Sequence, residues 1–448
     1  MLSKNEQHED TYDCDVVVIG AGFAGATVAR ECATRGLRTI VLEATDRIGG
    51  RTHTTTMSNG QQLDVGGTYI YWGQPHTWSE LTRYGLTDDV VDAVTVYHDW
   101  VLAPTDAGSE WATAEEHAVR EKDLVERFFE LATTVFPRPY SPMYNAEAVK
   151  ELDHLTVRDR LDELDLGPGD DAHLVALLST LSSEVPEQSS YLALLRWFAA
   201  CGNNYETLFN GLMGSKLKHG TVGLLSAILA DGDAEVRLST PVRGVVSNEN
   251  GVEVTLASGE VVTGAVAVVA TPSGVWPHLE FSPPLAAERL ATAKAGLQNS
   301  WGKKAAAVIK GEPRRVFIQP RLGEPIAILW TTEQRSEDEQ LITFMCSPAL
   351  SDSDDEKVAA ALRELLPGIE VAEVHTDSWS SDDEYVRGGW PMLAPGVLSR
   401  YLPHEKCAEP EGRVVFATAD ISTLWSSFID GAIESGLTAA RKVQSILR

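Results

Sequence analysis

Three glycines, Gly20, Gly22 and Gly25, are spaced G-x-G-x-x-G within "DVVVIGAGFAGATVARECATRGLRTIVLE", which runs from Asp15 to Glu43. Glycines in that order suit a phosphate cradle. The first permits a tight turn, the second lets the backbone approach a pyrophosphate, and the third lets a helix pack close to a strand. Free N–H groups and a partial positive charge at the start of the helix then receive the phosphates. Glu43 stands 23 residues after Gly20, at the end of the next strand, where a carboxylate bonds a ribose 2′-hydroxyl. The same carboxylate disfavours a 2′-phosphate, and so NADP.

The motif has weight only if a strand precedes it and a helix follows. Residues 15–19 form a short apolar run that fits a buried parallel strand. "AGATVARECATRG" has helical spacing with Gly36 as its stop, and "TIVLE" reads as a second strand. From Pro75 to about Leu212 the pattern reads as helices; in Ala114–Phe136, Val119, Val125, Phe128, Phe129, Ala132 and Phe136 share a face. "FPRPYSPMY" must break that helix. From Gly220 to about Pro284, alternating runs are separated by "NENG" and "ASGE", which read as hairpin turns. Residues 296–380 mix strands with a helix near Glu356–Leu366, and the chain closes with the strand "GRVVFATAD" and a long capped helix.

The whole chain sets outer bounds. Its 448 residues exceed one ordinary core, so two domains are expected. No apolar run is long enough for a transmembrane helix, and the polar, acidic start lacks a secretory core, so a cytoplasmic protein is expected. The cysteines, Cys14, Cys32, Cys201, Cys346 and Cys407, are scattered without metal-ligand spacing and read as reduced thiols, with no metal site. A net charge of −28 argues against nucleic acid and anionic membrane as partners.

After Glu43, "DRIGGRT" supplies a second glycine pair and Arg51. With "LDVGGTYI" (63–70), "TPVRGV" (240–245), "VAVVATP" (266–272), "SWGKKAA" (300–306) and "FATADISTLWSSFIDGAIESG" (416–436), the chain resembles the flavin-containing monoamine oxidase family, in particular its bacterial nicotine oxidoreductase group. The resemblance implies an α/β fold: a discontinuous, Rossmann-like FAD-binding domain of the GR2 type with an inserted α+β substrate-binding domain. The expected boundaries are 1–90, 212–285 and 385–448 for the first, and 91–211 and 286–384 for the second.

It also implies roles. Gly20, Gly22, Gly25 and Glu43 would hold the ADP half of FAD; Gly50 and Arg51 would meet the pyrophosphate; Gly66, Gly67 and Thr68 would lie along the flavin. Val242 would meet the adenine through its backbone, and Asp420 the ribityl chain. Asp430 is expected to cap the final helix, with Ile429 and the N–H groups near Gly431–Ile433 facing the flavin pyrimidine. Lys303 and Lys304 occupy opposite faces of a strand; the family spacing from Gly302 selects Lys304 as the lysine beside flavin N5. Trp390 and Phe428 would form an aromatic cage for a neutral amine nitrogen. Trp197, Asn203, Tyr205 and Trp330 are further pocket candidates.

The implied reaction moves the α-hydrogen of a small secondary, cyclic or primary amine as hydride to flavin N5, with reoxidation by oxygen or another acceptor. Two departures matter. Gly389 stands where some relatives carry a flavin-linking cysteine, which implies non-covalent FAD. Phe428 stands where the nicotine group has asparagine, and the secretion signal of that group is absent, so nicotine itself is left open. An L-amino-acid oxidase uses the same scaffold but needs a cation for the substrate carboxylate, and "GGTYIYWGQPHTWSELTR" offers none before Arg83. The acidic composition gives no support to a membrane-seeking desaturase. A non-catalytic FAD-binding interaction protein would not need both the lysine and the cage. The sequence leaves the oligomeric state open, a homodimer included.

Overall fold

The computed structural model describes residues 12–93, 98–299, 302–350, 354–379 and 383–448. Its largest sheet has eight strands. In spatial order they are Glu235–Arg237, Thr39–Leu42, Cys14–Ile19, Val261–Val269, Gly251–Leu256, Val242–Asn248 and Glu280–Ser282, with Val414–Phe416 also pairing with Val261–Val269. The first strand runs parallel to its neighbours, Val16 facing Thr39 on one side and Val266 on the other. A parallel strand so placed is covered on both faces, and Val16, Val17 and Val18 are fully buried.

On one face, the helices Phe23–Ala33 and Ile429–Leu447 pack over Val16, Val18, Val266 and Val268 through Val28, Ala29, Ala439 and Val443. They approach closely because Gly436 has no side chain; a Cβ there would lie 2.7 Å from the Ala24 carbonyl oxygen. The opening and the end of the chain thus build one layer.

A seven-stranded sheet orders Glu370–Trp379, Gly302–Lys310, Glu339–Cys346, Ile326–Gln334, Val316–Ile318, Trp100–Thr105 and Gly108–Thr113. A largely helical core centred on Phe128, Phe129, Tyr191 and Leu195 fills the space beside it. The hairpin Trp100–Thr113 falls where the sequence reads as helix. Its turn needs Gly108 at φ +135°, and its first strand buries Val101, Ala103 and Pro104, a pattern that keeps neither period. The strand Val90–Asp92 lies in the same misread stretch, in a three-stranded sheet with Ser215–Leu217 and Tyr69–Ile70.

The expected helix Ala114–Phe136 is two: Ala114–Phe128, opened by a Thr113/Glu116 capping box, and Ala132–Val135. Val119 is 72% exposed rather than on the buried face, since Leu124, Val125 and Phe128 define that face and 119 lies off it. The two hairpin turns fall at 249–250 and 257–260, between the strands read from the sequence.

Candidate active site

The glycine turn leaves the first strand with Gly20 at φ +108°. A Cβ on Gly25 would stand 1.9 Å from the Gly20 carbonyl oxygen, so the third glycine is demanded by packing. Gly22 bridges to Gly49, setting the second glycine pair beside the first; Gly49 and Gly50 both take positive φ. The Glu43 carboxylate accepts from the Ala21 N–H at 2.8 Å and from the Thr45 N–H and Oγ1 at 2.9 Å, which fixes it at the strand end.

A cavity of about 530 Å³ opens here, within the usual range for ligand sites. Gly20, Gly22, Glu43, Gly50 and Arg51 lie on its wall, as do Gly66, Gly67, Thr68 and Val242. So do Lys304, Trp390, Phe428, Ile429 and Trp197. Segments that are far apart in sequence therefore share one space.

Two helices present their N-termini to it. Gly22, Phe23 and Ala24 begin one; Phe428, Ile429 and Ala432 begin the other, and neither helix has a side-chain cap. Uncapped N-termini leave backbone donors for a ligand and favour negative charge. Thr271 Oγ1, also on the wall, is buried without a partner. This donor set fits a pyrophosphate at the glycine turn and an electron-rich ring at the final helix.

Asp430 is not the N-cap. Phe428 is, with extended backbone, and Asp430 sits in the first turn. Its fully buried carboxylate accepts from the Thr77 N–H at 2.8 Å and meets His76 Nδ1 at 3.1 Å. It thereby serves the helix Pro75–Arg83, whose own N-cap, Gln74, makes no side-chain capping bond. Asp420 is likewise turned from the cavity. One oxygen takes Arg51 Nη2 at 2.5 Å, and the other takes the Ser273 N–H and Oγ, both at 2.8 Å. It is Arg51, not Asp420, that reaches the wall. Gly431 and Ile433 also lie off the wall; a Cβ on Gly431 would stand 2.2 Å from the Trp425 carbonyl oxygen.

Lys304 is 6% exposed, and its Nζ donates to the Gly66 carbonyl at 3.2 Å and to Thr68 Oγ1, 4.8 Å above the Tyr69 ring. Burial pushes its amine down to about 7; the nearby Asp64 works against that fall and Lys216 adds to it. Lys303, on the opposite face, is also buried and bonds the Leu350 carbonyl at 3.4 Å. Trp390 Nε1 donates to the Leu181 carbonyl at 3.3 Å. The Phe428 ring meets Trp197 and Trp425 edge-on, each at 5.4 Å.

Three pocket candidates stand elsewhere. Asn203 occupies a left-handed turn (φ +58°) between two helices, off the cavity wall. Tyr205 is also off the wall; its hydroxyl donates to Glu121 Oε1 at 2.8 Å, beside the buried His117 and His173. Trp330 lines a separate small cavity, its ring 6.4 Å from Tyr69. Helical periodicity alone does not say which face of a buried helix meets a cavity. Conversely, sequence reading passed over Asp64, Lys216 and Ser273. Asp64 stands in "LDVGG" beside the noted glycines, whereas Lys216 and Ser273 belong to no motif.

The pattern of the family described as "Flavin containing amine oxidoreductase" matches residues 23–444. A nicotine dehydrogenase of Pseudomonas putida is 34% identical over 97% of this chain and 89% of its own length. A pseudooxynicotine dehydrogenase of a Pseudomonas species is 35% identical over 98% and 88%. Cyclohexylamine oxidase from Brevibacterium oxydans superposes with a TM-score of 0.79 at 21% identity, covering 97% of this chain and 100% of that one. Among the described residues no helix is long and apolar enough to cross a membrane. With the glycine turn, the paired helix N-termini and the buried lysine gathered on one cavity, the chain belongs to the flavin-containing amine oxidoreductase family and is a flavin-dependent enzyme acting on amines.

Proposed function

We propose that this enzyme holds FAD without a covalent bond and oxidises a small, neutral, singly functional amine. The observation that carries this reading is the company around Lys304: the main cavity gathers Trp197, Leu181, Leu212, Met213, Trp390 and Phe428, all aromatic or aliphatic. Carboxylates on the wall are Glu43, fixed at the first glycine turn, and Glu384, so the apolar group offers no obvious seat for a second ammonium. A relative named for nicotine and a structural neighbour named for cyclohexylamine both act on compact cyclic amines, which supports the same class here. Gly389, beside Trp390, has no side chain through which flavin could be attached.

Bound FAD supplies the two-electron acceptor for the amine's α-carbon–hydrogen bond. The chain's residues do the rest. Gly22, Arg51 and the two helix N-termini would bind and orient the cofactor, and Glu43 would meet the ribose. Trp390 and Phe428 offer π-faces to the amine nitrogen, and with Trp197 they exclude water. The Lys304 amine spends two hydrogens on Gly66 and Thr68, so in its neutral form its lone pair is available to the cavity.

The test is anaerobic mixing of the yellow protein with cyclic and linear monoamines, diamines and amino acids, followed by air. Bleaching by compact monoamines is expected, faster as pH rises and the amine loses its proton. Preferential bleaching by diamines or amino acids would overturn the substrate reading. Flavin that stays with acid-precipitated protein would overturn non-covalent binding.

A further inference from the structure

A second, small cavity of about 50 Å³ lies against the first. Thr68, Tyr69 and Lys304 line both, and so form the partition between them. On the far side stand Asp64, Lys216 and Trp330. The space suffices for water, and its polar lining would hold it.

Lys216 is placed there by strand pairing. Ser215–Leu217 is the middle strand of its sheet, with Lys216 opposite Tyr69, the residue whose ring lies beneath Lys304 Nζ. Asp64 is 7% exposed and held by Thr54 Oγ1 at 2.6 Å and the Thr221 N–H at 3.1 Å. Two lysines and one carboxylate therefore share an enclosed space, where charges interact far more strongly than in water.

We propose that Lys216 is a positioning residue for Lys304: its charge, acting across the small cavity against that of Asp64, adds to burial in keeping the Lys304 amine unprotonated on the substrate side. This rests on the amine-oxidising reading above. The direction is consistent on both partners. Burial lowers the Lys216 amine, with Asp64 and Glu333 opposing that fall; burial is also the main cause of the fall at Lys304, where Asp64 opposes it and Lys216 adds to it. From the strand beside Lys304, Asp377 faces it in register, but that carboxylate is engaged with His53 at 2.5 Å. With this positive neighbour removed and Asp64 left in place, Lys304 would keep its proton to higher pH and lose its free lone pair.

The experiment titrates the FAD-loaded enzyme labelled at lysine Cε with carbon-13, the Lys304 signal being assigned by its loss in Lys304→Met. In Lys216→Met the Lys304 midpoint should rise by about one pH unit. Lys216→Arg, which keeps the charge, should bring it back. The acid limb of kcat for a bleaching amine should move the same way, with KM for the neutral amine unchanged. An unmoved Lys304 midpoint in Lys216→Met overturns the inference, even if amines are oxidised. A shifted midpoint in a protein that no amine bleaches leaves the inference standing and removes the substrate reading. Should Lys216→Met not fold, Lys216→Gln is read by the same criteria.

Discussion

Arg51 and Asp420 are 369 positions apart in the chain, and their side chains meet at 2.5 Å with the carboxylate fully enclosed. The same carboxylate holds the Ser273 N–H, so one buried acid ties together the second glycine motif, the loop after Val261–Val269 and the strand end at Phe416. Removing one partner of a buried pair leaves an uncompensated charge and costs about 3 to 5 kcal/mol. Asp420→Ala should therefore lower the melting temperature. It should also weaken FAD retention by about tenfold or more, since about 1.4 kcal/mol of that loss felt at the cofactor suffices. Flavin co-eluting on gel filtration checks this.

Lys304 makes stability depend on pH in a definite direction. Its amine titrates near 7 when folded, against 10.5 when unfolded, so between those values the unfolded chain binds the extra proton. Stability contributed by this site rises with pH through that window and is lowest below it. Lys304→Met should stabilise the protein most near pH 6, by about 3 to 5 kcal/mol at the upper limit, and least near pH 10. Denaturant melts at the two pH values measure it, and a gain that does not shrink with pH would remove the buried-ammonium account. The same variant should slow amine-dependent bleaching.

Phe428 is on the wall of the main cavity, edge-on to Trp197. Phe428→Leu keeps an apolar side chain but removes the π-face. We expect kcat/KM for a monoamine to fall about tenfold, the equivalent of about 1.4 kcal/mol of lost contact with the ring face. Bound FAD should be unchanged. Stopped-flow bleaching gives the ratio.

Glu121 predicts a stability loss without a direct active-site contact. It is enclosed by His117 at 3.1 Å, His173 at 2.9 Å and Tyr205 at 2.8 Å. Burial alone would raise its carboxyl, but bonds from the two histidines outweigh it and hold it well below the usual range. A depressed carboxylate stabilises above its unfolded value, and the contribution is lost as pH falls from about 4.5 toward the folded value. Glu121→Ala should destabilise by about 3 kcal/mol at neutral pH and flatten the acid side of the stability profile. Thermal melts from neutral pH down to well below pH 4.5 decide it.

The opening βαβ unit could be read almost residue by residue because each local signal agreed: apolar run, glycine turn, helical spacing, acid at the strand end. The hairpin Trp100–Thr113 could not, because neighbouring strands from 316–318 supply its burial and no local period records them. The same limit applies at the site. Gly22, Lys304 and Trp390 belong to motifs whose spacing constrains them, and they share a wall. Asp430 does not cap the final helix, and both Asp430 and Asp420 spend their oxygens on segments remote in sequence, which no local pattern records. Lys216 is isolated in "MGSKLKHG"; only pairing with Tyr69 brings it near Lys304.

The layer formed by Phe23–Ala33 and Ile429–Leu447 has a consequence for biosynthesis. The first of these helices is made long before the second, so the floor beneath the cavity stays unfinished until both have emerged. Domains normally fold as their own residues emerge; here the earliest segment must wait for the final nineteen-residue helix before its apolar face is covered. Removal of Ile429–Leu447 would therefore uncover Val28 and Ala29 and leave the cavity without its second helix N-terminus.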